Sequence, residues 1–431
     1  MTAPVPLRRG VPPVSGPPRS ARSAVSASGP SGLMTTAGPT VGGDPRRAAA
    51  TIGGVLAAPT LTTDPAAVAA NVRTIGGRTR AQVMAVVKAD AFGHGMTAVA
   101  RAALGAGATW LGVTDVAEAL ALRSPADGAP GVGAPILAWL HPSGIDVEGA
   151  AWGRVDLAVG STDELVAVIA ARAHRGSRAA AARPLRVHLQ VDTGMARGGA
   201  MREEWPALFR IAATGVDRGI IRLVGLMGHL PDADLADPAR NAEGVRSLSD
   251  AERLARAHGI ALPLRHLAAT AATLSDPATH ADLVRIGAGL VGIDPSGTVP
   301  LRGASCLTAP IVHSTRVPRG TAIGYGGRHV TAEATHLAVL GLGYADGIPR
   351  TLSPEAGVAI AGERFRIVGR VSMDQIVVDT RARRFTRGTI ATLWGPAGTA
   401  APTVADWARW AGTIPHDIVT GVGPRVRRKT A

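Results

Sequence analysis

The stretch QVMAVVKADAFGHG, residues 82–95, decides how this chain is read. Its first six residues form an apolar run with two consecutive valines, the pattern of a buried strand. Asp90, Gly93 and Gly95 then break the run, so Lys88 stands at the carboxyl end of the strand, where a loop opens. A lysine placed there faces a site while rooted in a rigid element. The chain has 46 basic residues, and only Lys88 and Lys429 are lysines. Lys429 falls in what reads as a frayed basic tail. Lys88 is therefore the candidate for covalent amine chemistry; the plainer alternative is a strand-end lysine reaching out to water.

Outward from this stretch, strands alternate with helical segments. The expected strands are Gln82–Val87, Trp110–Val113, Pro135–Trp139, Asp156–Val159, Leu185–Val191, Leu223–Met227, Leu264–Leu267 and Asp282–Ile286. Between them lie Ala-rich amphipathic segments such as Thr97–Leu104, Ser161–His174 and Asp237–His258, with Ser161 and Glu164 spaced as a capping box. Eight strands with helical crossovers point to a (β/α)₈ barrel. A doubly wound sheet fits the same periodicity, but no GxGxxG follows the first strand. A short strand at Pro59–Thr63 and a helix at Asp64–Ile75 precede the barrel strands. Beyond residue 300 the texture changes to short β-branched runs at Ile311–Arg316, Leu337–Leu342, Phe365–Val371, Gln375–Val378 and Thr389–Leu393, with one helix at Val404–Ala411. We therefore expect an α/β chain in three parts: a disordered, low-complexity extension over residues 1–50, a barrel over 51–300 and a mainly β domain over 301–431. Met34 offers an alternative start inside the extension.

The net charge is +14. Six arginines and one aspartate in residues 1–50, together with Arg425, Arg427, Arg428 and Lys429, account for most of it. Basic residues are not interleaved with aromatics, so nucleic-acid binding is not expected. No apolar run is long enough for a membrane span. The single cysteine, Cys306, permits no internal disulfide and suits a reducing cytoplasm. No metal is expected.

A barrel gathers chemistry at the carboxyl ends of its strands. Lys88 is there after the first strand; Asp192, Thr193 and Arg197 follow the fifth, His229 the sixth, His266 and Thr270 the seventh, and Arg285, Gly287 and Ala288 the eighth. The last two loops are the usual phosphate cradle of this fold: Thr270 supplies a hydroxyl, Gly287 and Ala288 backbone N–H groups. Arg285 can only donate hydrogen bonds and does not deprotonate. The chain has two tyrosines, Tyr325 in AIGYGG and Tyr344 in GLGYADG, both in glycine turns of the second domain.

VVKADAFGHG resembles the pyridoxal-phosphate lysine motif of alanine racemases. VDTGMAR, LVRIGAG, AIGYGG, GLGYADG and GRVSMDQ resemble further motifs of that family in the same order, so the resemblance spans roughly residues 55–425. It implies a pyridoxal 5'-phosphate enzyme that racemises alanine, supplies D-alanine for peptidoglycan, and acts as a homodimer with composite sites. By the same resemblance Lys88 holds the cofactor and is one base, and Tyr325 of the partner subunit is the other. Arg197 serves the cofactor's phenolic oxygen and the substrate carboxylate, and Met373 offers its backbone N–H to that carboxylate. Tyr344, Thr270, Gly287 and Ala288 hold the phosphate. Arg285 faces the pyridine nitrogen, and His229 and His266 orient the arginine and tyrosine network. The chain departs from the family at Phe92 (usually Tyr), Gln190 (often Lys), Ala269 (Asn), Val291 (Tyr) and Gly421 (a phosphate-binding Tyr in some members). A serine or broad-specificity racemase and an amino-acid decarboxylase share the architecture; a non-catalytic cofactor-carrying barrel is a further alternative, against which residues 301–431 argue, since such barrels generally lack a C-terminal β domain and its tyrosines.

Overall fold

The computed structural model describes residues 57–431, apart from 126–127, 129, 141–144, 175–182 and 235–237. The expectations for residues 1–50 and Met34 lie outside the described residues. Strand β1 (Thr60–Thr63) comes first, and eight parallel strands follow. They are β2 (Gln82–Val86), β3 (Trp110–Val113), β4 (Ile136–Ala138), β5 (Val155–Val159), β6 (Leu185–Gln190), β7 (Ile221–Met227), β8 (Leu264–His266) and β9 (Leu283–Ile286). β9 pairs back to β2, and the amides of Asp282 and Arg285 reach the carbonyls of Arg265 and Ala268 at 3.0 Å each, closing the barrel across β8. All eight expected strands are present. They read clearly because a strand buried on both faces is a continuous apolar run.

Met84, Trp110, Leu137, Ala158, Val224 and Leu283 fill the barrel's interior. The space is tight. A Cβ on Gly112 would lie 2.6 Å from Trp139, and one on Gly225 would lie 2.8 Å from Nδ1 of His188, so glycine on β7 makes room for a histidine on β6. Helices pack outside. Pro65–Gly76 is capped by Asp64, whose carboxylate accepts from Ala66 N and Ala67 N. Before Thr162–His174, Ser161 accepts from Glu164 N as the capping box requires, but Glu164 reaches back to Gly160 N, one residue earlier than expected.

The second sheet contains β10 (Ser305–Val317), β13 (Thr335–Leu340), β14 (Gly357–Ile360), β15 (Glu363–Val368), β16 (Ile376–Arg381) and β17 (Ile390–Trp394). β10 pairs with both β17 and β13, which closes these six strands on themselves. A two-stranded hairpin, β11 (Ala322–Ile323) and β12 (His329–Val330), projects from it. Helix Val404–Ala411 starts and stops as expected, with Thr403 and Asp406 forming a true capping box, and buries Trp407 and Trp410 on the sheet.

Two features differ from the sequence reading. β1 does not belong with the barrel that follows it: Thr60–Thr63 pairs antiparallel with Ser305–Thr308 of the second sheet. Nor is the basic tail frayed. Arg427–Thr430 forms β18, parallel to β1, with Arg427 N donating to Pro59 O at 2.9 Å. Its side chains are all exposed. Main-chain hydrogen bonding needs no apolar face, and charged side chains suit an edge strand.

Lys88 lies beyond the end of β2, and the loop it opens is a left-handed helical turn. Ala89, Asp90, Ala91 and Phe92 have φ of 52–57°, and none is glycine. Such a conformation costs about 1–2 kcal/mol per residue. Surrounding groups hold it. Ala91 N donates to Val87 O at 2.8 Å, Ala89 N to Glu118 Oε1 at 2.8 Å, and Met96 N to Asp90 Oδ1 at 2.7 Å. From the second-sheet strand β1, Thr63 Oγ1 donates to His94 O at 2.7 Å. Glycine at exposed Ala89 should therefore not carry its usual helix penalty. Ala89→Gly should leave stability unchanged or raise it by up to about 1 kcal/mol, since strain relief exceeds the entropy given to the unfolded chain. Ala102→Gly, in the right-handed helix Met96–Gly105, should cost about 1 kcal/mol. Urea unfolding of the two variants checks the difference, and equal losses would contradict the strained turn.

Candidate active site

The carboxyl ends of the barrel strands bring Lys88, Arg197, His229, His266, Thr270, Arg285, Gly287 and Ala288 into one mouth. Lys88 Nζ lies 6.0 Å from the ring centre of Trp139. Burial and the Arg197 guanidinium push its pKa below the ordinary 10.5, and Glu118 opposes them. More of the amine is therefore in its neutral, nucleophilic form than in a free lysine. Sequence reasoning missed Glu118. Its carboxylate accepts from both Ala89 N and Thr114 N, at 2.8 and 2.7 Å, tying the lysine turn to the next loop.

Arg285 is buried at the core of the mouth. Its Nη atoms donate to Gly228 O (2.7 Å), Leu267 O (2.9 Å), His229 Nδ1 (3.1 Å) and His266 Nδ1 (3.1 Å). Burial pulls its pKa to about 10. Arginine has no acceptor, so both histidines must present a bare Nδ1 to it. His266 then donates through Nε2 to His188 Nδ1 at 2.9 Å, and His188 donates through Nε2 to Asp156 Oδ2 at 3.2 Å. Arg186 closes the line on Asp156 with contacts of 2.5 and 2.9 Å. His188, His266 and Asp156 are 0% exposed, so a polar seam runs the length of the barrel's apolar interior. His188 and Asp156 were not picked out from sequence. The available signal was an ionisable residue among apolar neighbours in each of two strands, Asp156 in VDLAV and His188 in LRVHLQ.

The loops expected to cradle a phosphate meet around Thr270. Its oxygen accepts from the amides of Gly287 and Gly289 at 3.2 Å each, and no described acceptor takes its proton. A buried hydroxyl with its donor unspent fits a phosphate oxygen. Phe92 packs against Gly287, where a Cβ would lie 3.0 Å from the ring. It has no hydroxyl to add to the cradle, and it stacks instead on His416 at 5.9 Å. The loop carrying Arg197 is shaped by Asp192, which accepts from Gly194 N and Ala196 N, and is held by Thr193, which bonds His229 through both its N and O. Gln190 makes no hydrogen bond to Arg197 among the described residues; its amide nitrogen lies beside Gly198.

The remaining expected residues lie elsewhere on the chain. Tyr325 is 69% exposed in the β11–β12 turn, Met373 is 52% exposed and Tyr344 is 40% exposed. The three belong to one assembly. Tyr344 N donates to Ser372 O, Ala345 N to Met373 O, and Gly324 approaches the backbone of Arg370. No hydrogen bond among the described residues joins Tyr344 to Thr270 or Gly287. The structure thus groups Tyr344 with Tyr325 and Met373.

A closed parallel barrel with a single lysine at its mouth, a phosphate-fitting cradle and a second, β domain defines a class of pyridoxal-phosphate enzymes. Residues 63–295 match the model of the alanine racemase N-terminal domain, and residues 304–430 that of the C-terminal domain. The chain belongs to the alanine racemase family. An alanine racemase of Beutenbergia cavernae is 44% identical over 374 residues, covering 85% of this chain and 96% of that one. One from Thermobifida fusca is 41% identical over 367 residues, covering 84% and 95%. The solved alanine racemase of Streptomyces coelicolor superposes with a TM-score of 0.82 at 38% identity, covering 87% of this chain and 98% of that chain. That of Bartonella henselae, solved with covalently bound pyridoxal phosphate, gives a TM-score of 0.74 at 26% identity, covering 87% and 100%.

Two outcomes follow from the electrostatics. Removing the Glu118 charge should lower the Lys88 pKa further, and Arg197→Gln should raise it. The pH dependence of amine labelling at Lys88, followed by mass spectrometry on cofactor-free protein, reads both shifts; opposite signs would refute the charge assignments. Burial and Arg285 hold the His229 pKa down from 6.5 to about 3, and His266 is lowered in the same sense. The unfolded chain takes up these protons first, so the stability they confer is complete above pH 6.5 and lost as pH falls from there toward 3. The urea midpoint should decline across that window, and less steeply in His229→Asn.

Proposed function

We propose that this chain interconverts L- and D-alanine with two bases on opposite faces of the substrate, in a homodimer whose sites draw residues from both subunits. Pyridoxal phosphate, when bound, withdraws electrons from the substrate Cα and stabilises the charge left by proton removal. Lys88 anchors the cofactor and exchanges the Cα proton on its own face. The strained turn fixes where its amine points, and its lowered pKa keeps a fraction ready to accept a proton. Inversion needs a second proton carrier on the opposite face. Tyr325 fills that role from the partner.

The observation that carries this reading is the separation of the two groups within one chain. Lys88 is rooted in the barrel mouth, while Tyr325 stands exposed in a built turn of the other sheet, beside Met373 and Tyr344. Met373 N makes no described main-chain bond and can receive the substrate carboxylate, with Arg197 supplying the countercharge. Tyr344 arrives with the same surface and adds its phenol to the phosphate site that Thr270, Gly287 and Ala288 begin. Arg285 donates to the pyridine nitrogen without protonating it, and His229 and His266 keep its guanidinium aligned. No helix among the described residues is long and apolar enough to cross a membrane, and with one cysteine in the chain we assign the enzyme to the cytoplasm.

Lys88→Ala should lose the cofactor's visible absorbance and nearly all racemisation. Tyr325→Phe should keep the absorbance and still exchange the Cα proton of D-alanine in D₂O. Its proton abstraction from L-alanine should fall roughly 10²–10⁴-fold, the usual contribution of a placed general base. Mixing the two inactive variants should rebuild one complete site per heterodimer. If verified subunit exchange recovers no activity, the composite site is wrong; equal exchange from both enantiomers in Tyr325→Phe would rule out the two-base assignment.

A further inference from the structure

The opposite, amino-terminal end of the barrel holds a cavity of about 380 Å³ at the starts of β4–β7. Arg123, Arg154, Arg183, Arg186 and Arg222 line it, with Asp156 as the only carboxylate among the described lining residues. Arg123 is spent: it donates to the carbonyls of Val132, Ala134, Gly153 and Arg154 at 2.6–3.0 Å. Arg186 gives Nε and one Nη to Asp156 and keeps further N–H groups. Arg154, Arg183 and Arg222 have no side-chain hydrogen bond or ion pair among the described residues. The strand register sets Arg222 directly beside Arg186 on neighbouring strands. Cross-strand like charges repel, and one buried carboxylate cannot neutralise five guanidinium groups.

We propose that this mouth binds a small multivalent oxyanion, inorganic phosphate or a phosphate monoester, held between Arg186 and Arg222. Planar guanidinium groups on adjacent strands match a phosphate's oxygens two at a time. The cavity is within the size range of small-ligand pockets. The site is also wired to the catalytic end. An anion that shares Arg186 weakens its hold on Asp156, and Asp156 then bonds more strongly to His188. His188 and His266 carry that change along the seam to Arg285. Occupancy at one end of the barrel is thereby registered by the guanidinium at the other, 99 residues further along the chain from Arg186.

The test uses cofactor-loaded protein, so that the catalytic cradle is already filled. Calorimetric titration with inorganic phosphate in chloride buffer at fixed ionic strength should show one saturable site per chain. Glycerol 2-phosphate, titrated in parallel, distinguishes an esterified ligand from the free ion. Arg222→Glu, an exposed residue outside the catalytic mouth, should weaken binding at least tenfold without changing phosphate-free turnover. Arg387→Glu, the same charge reversal on the surface of the second sheet, should leave binding unchanged. Absence of saturable heat in the wild type, or equal affinity in Arg222→Glu, would overturn the site. The imidazole N–H protons of His188 and His266 are shielded from exchange by full burial and should shift in the proton NMR spectrum at saturating phosphate. Resonances that do not move would confine the anion to the mouth and overturn the coupling.

Discussion

The site's organisation depends on one constraint: a cation that can only donate hydrogen bonds is buried where only acceptors can stabilise it. Arg285 meets two carbonyls and two imidazoles. Because it cannot accept, the tautomer of each neighbouring histidine is forced, and with it the direction of every hydrogen bond down to Asp156. The seam therefore has a polarity. A lysine in place of Arg285 would lack the planar fork needed to satisfy four acceptors at once. The low pKa of His229, about 3, comes first from burial and then from the facing guanidinium, which a proton on Nδ1 would meet directly.

A second constraint is the left-handed turn after Lys88. Its strain is local, but the bonds that hold it come from distant parts of the chain. Thr63 precedes the barrel strands, Glu118 lies just beyond the next strand, and Val419, whose carbonyl crowds Gly93, lies more than 300 residues further on. The amine is thus aimed by elements of both sheets. A variant that loosens the packing of helix Pro415–Thr420 would disturb the lysine without touching it.

Much of the architecture was legible in the sequence. Most of the eight barrel strands stood out as apolar runs, and helix Val404–Ala411 because Thr403 and Asp406 mark its start. The barrel's share of the site was legible too, since strand ends can be read once strands are known. The lysine turn was not. Four consecutive non-glycine residues with positive φ have no local signature and exist because tertiary bonds impose them. Strand β18 was hidden by its four polar and charged residues, which pair through the backbone alone. Asp156 and His188 could be seen as unusual, but their relation could not, because it joins residues 32 apart on neighbouring strands whose register the sequence does not show. The grouping of Tyr344 with Tyr325 needed the geometry of three separate turns.

The pairing of β1 with both β10 and β18 has a consequence for how the molecule is made. Thr60–Thr63 is synthesised before any barrel strand, yet its partners arrive only with Ser305 and then Arg427. The barrel is in effect an insertion between two strands that belong side by side. On the ribosome it can close while β1 is still an unpaired ribbon, a segment exposed to mispairing until Ser305–Thr308 emerges. Thr63 also reaches the lysine turn, so that turn is locked only after β1 has found β10, which follows every barrel strand. The Lys88 amine would then settle after the barrel strands have closed, and a chain released before Ser305–Thr308 would carry a closed barrel with a loosely held lysine.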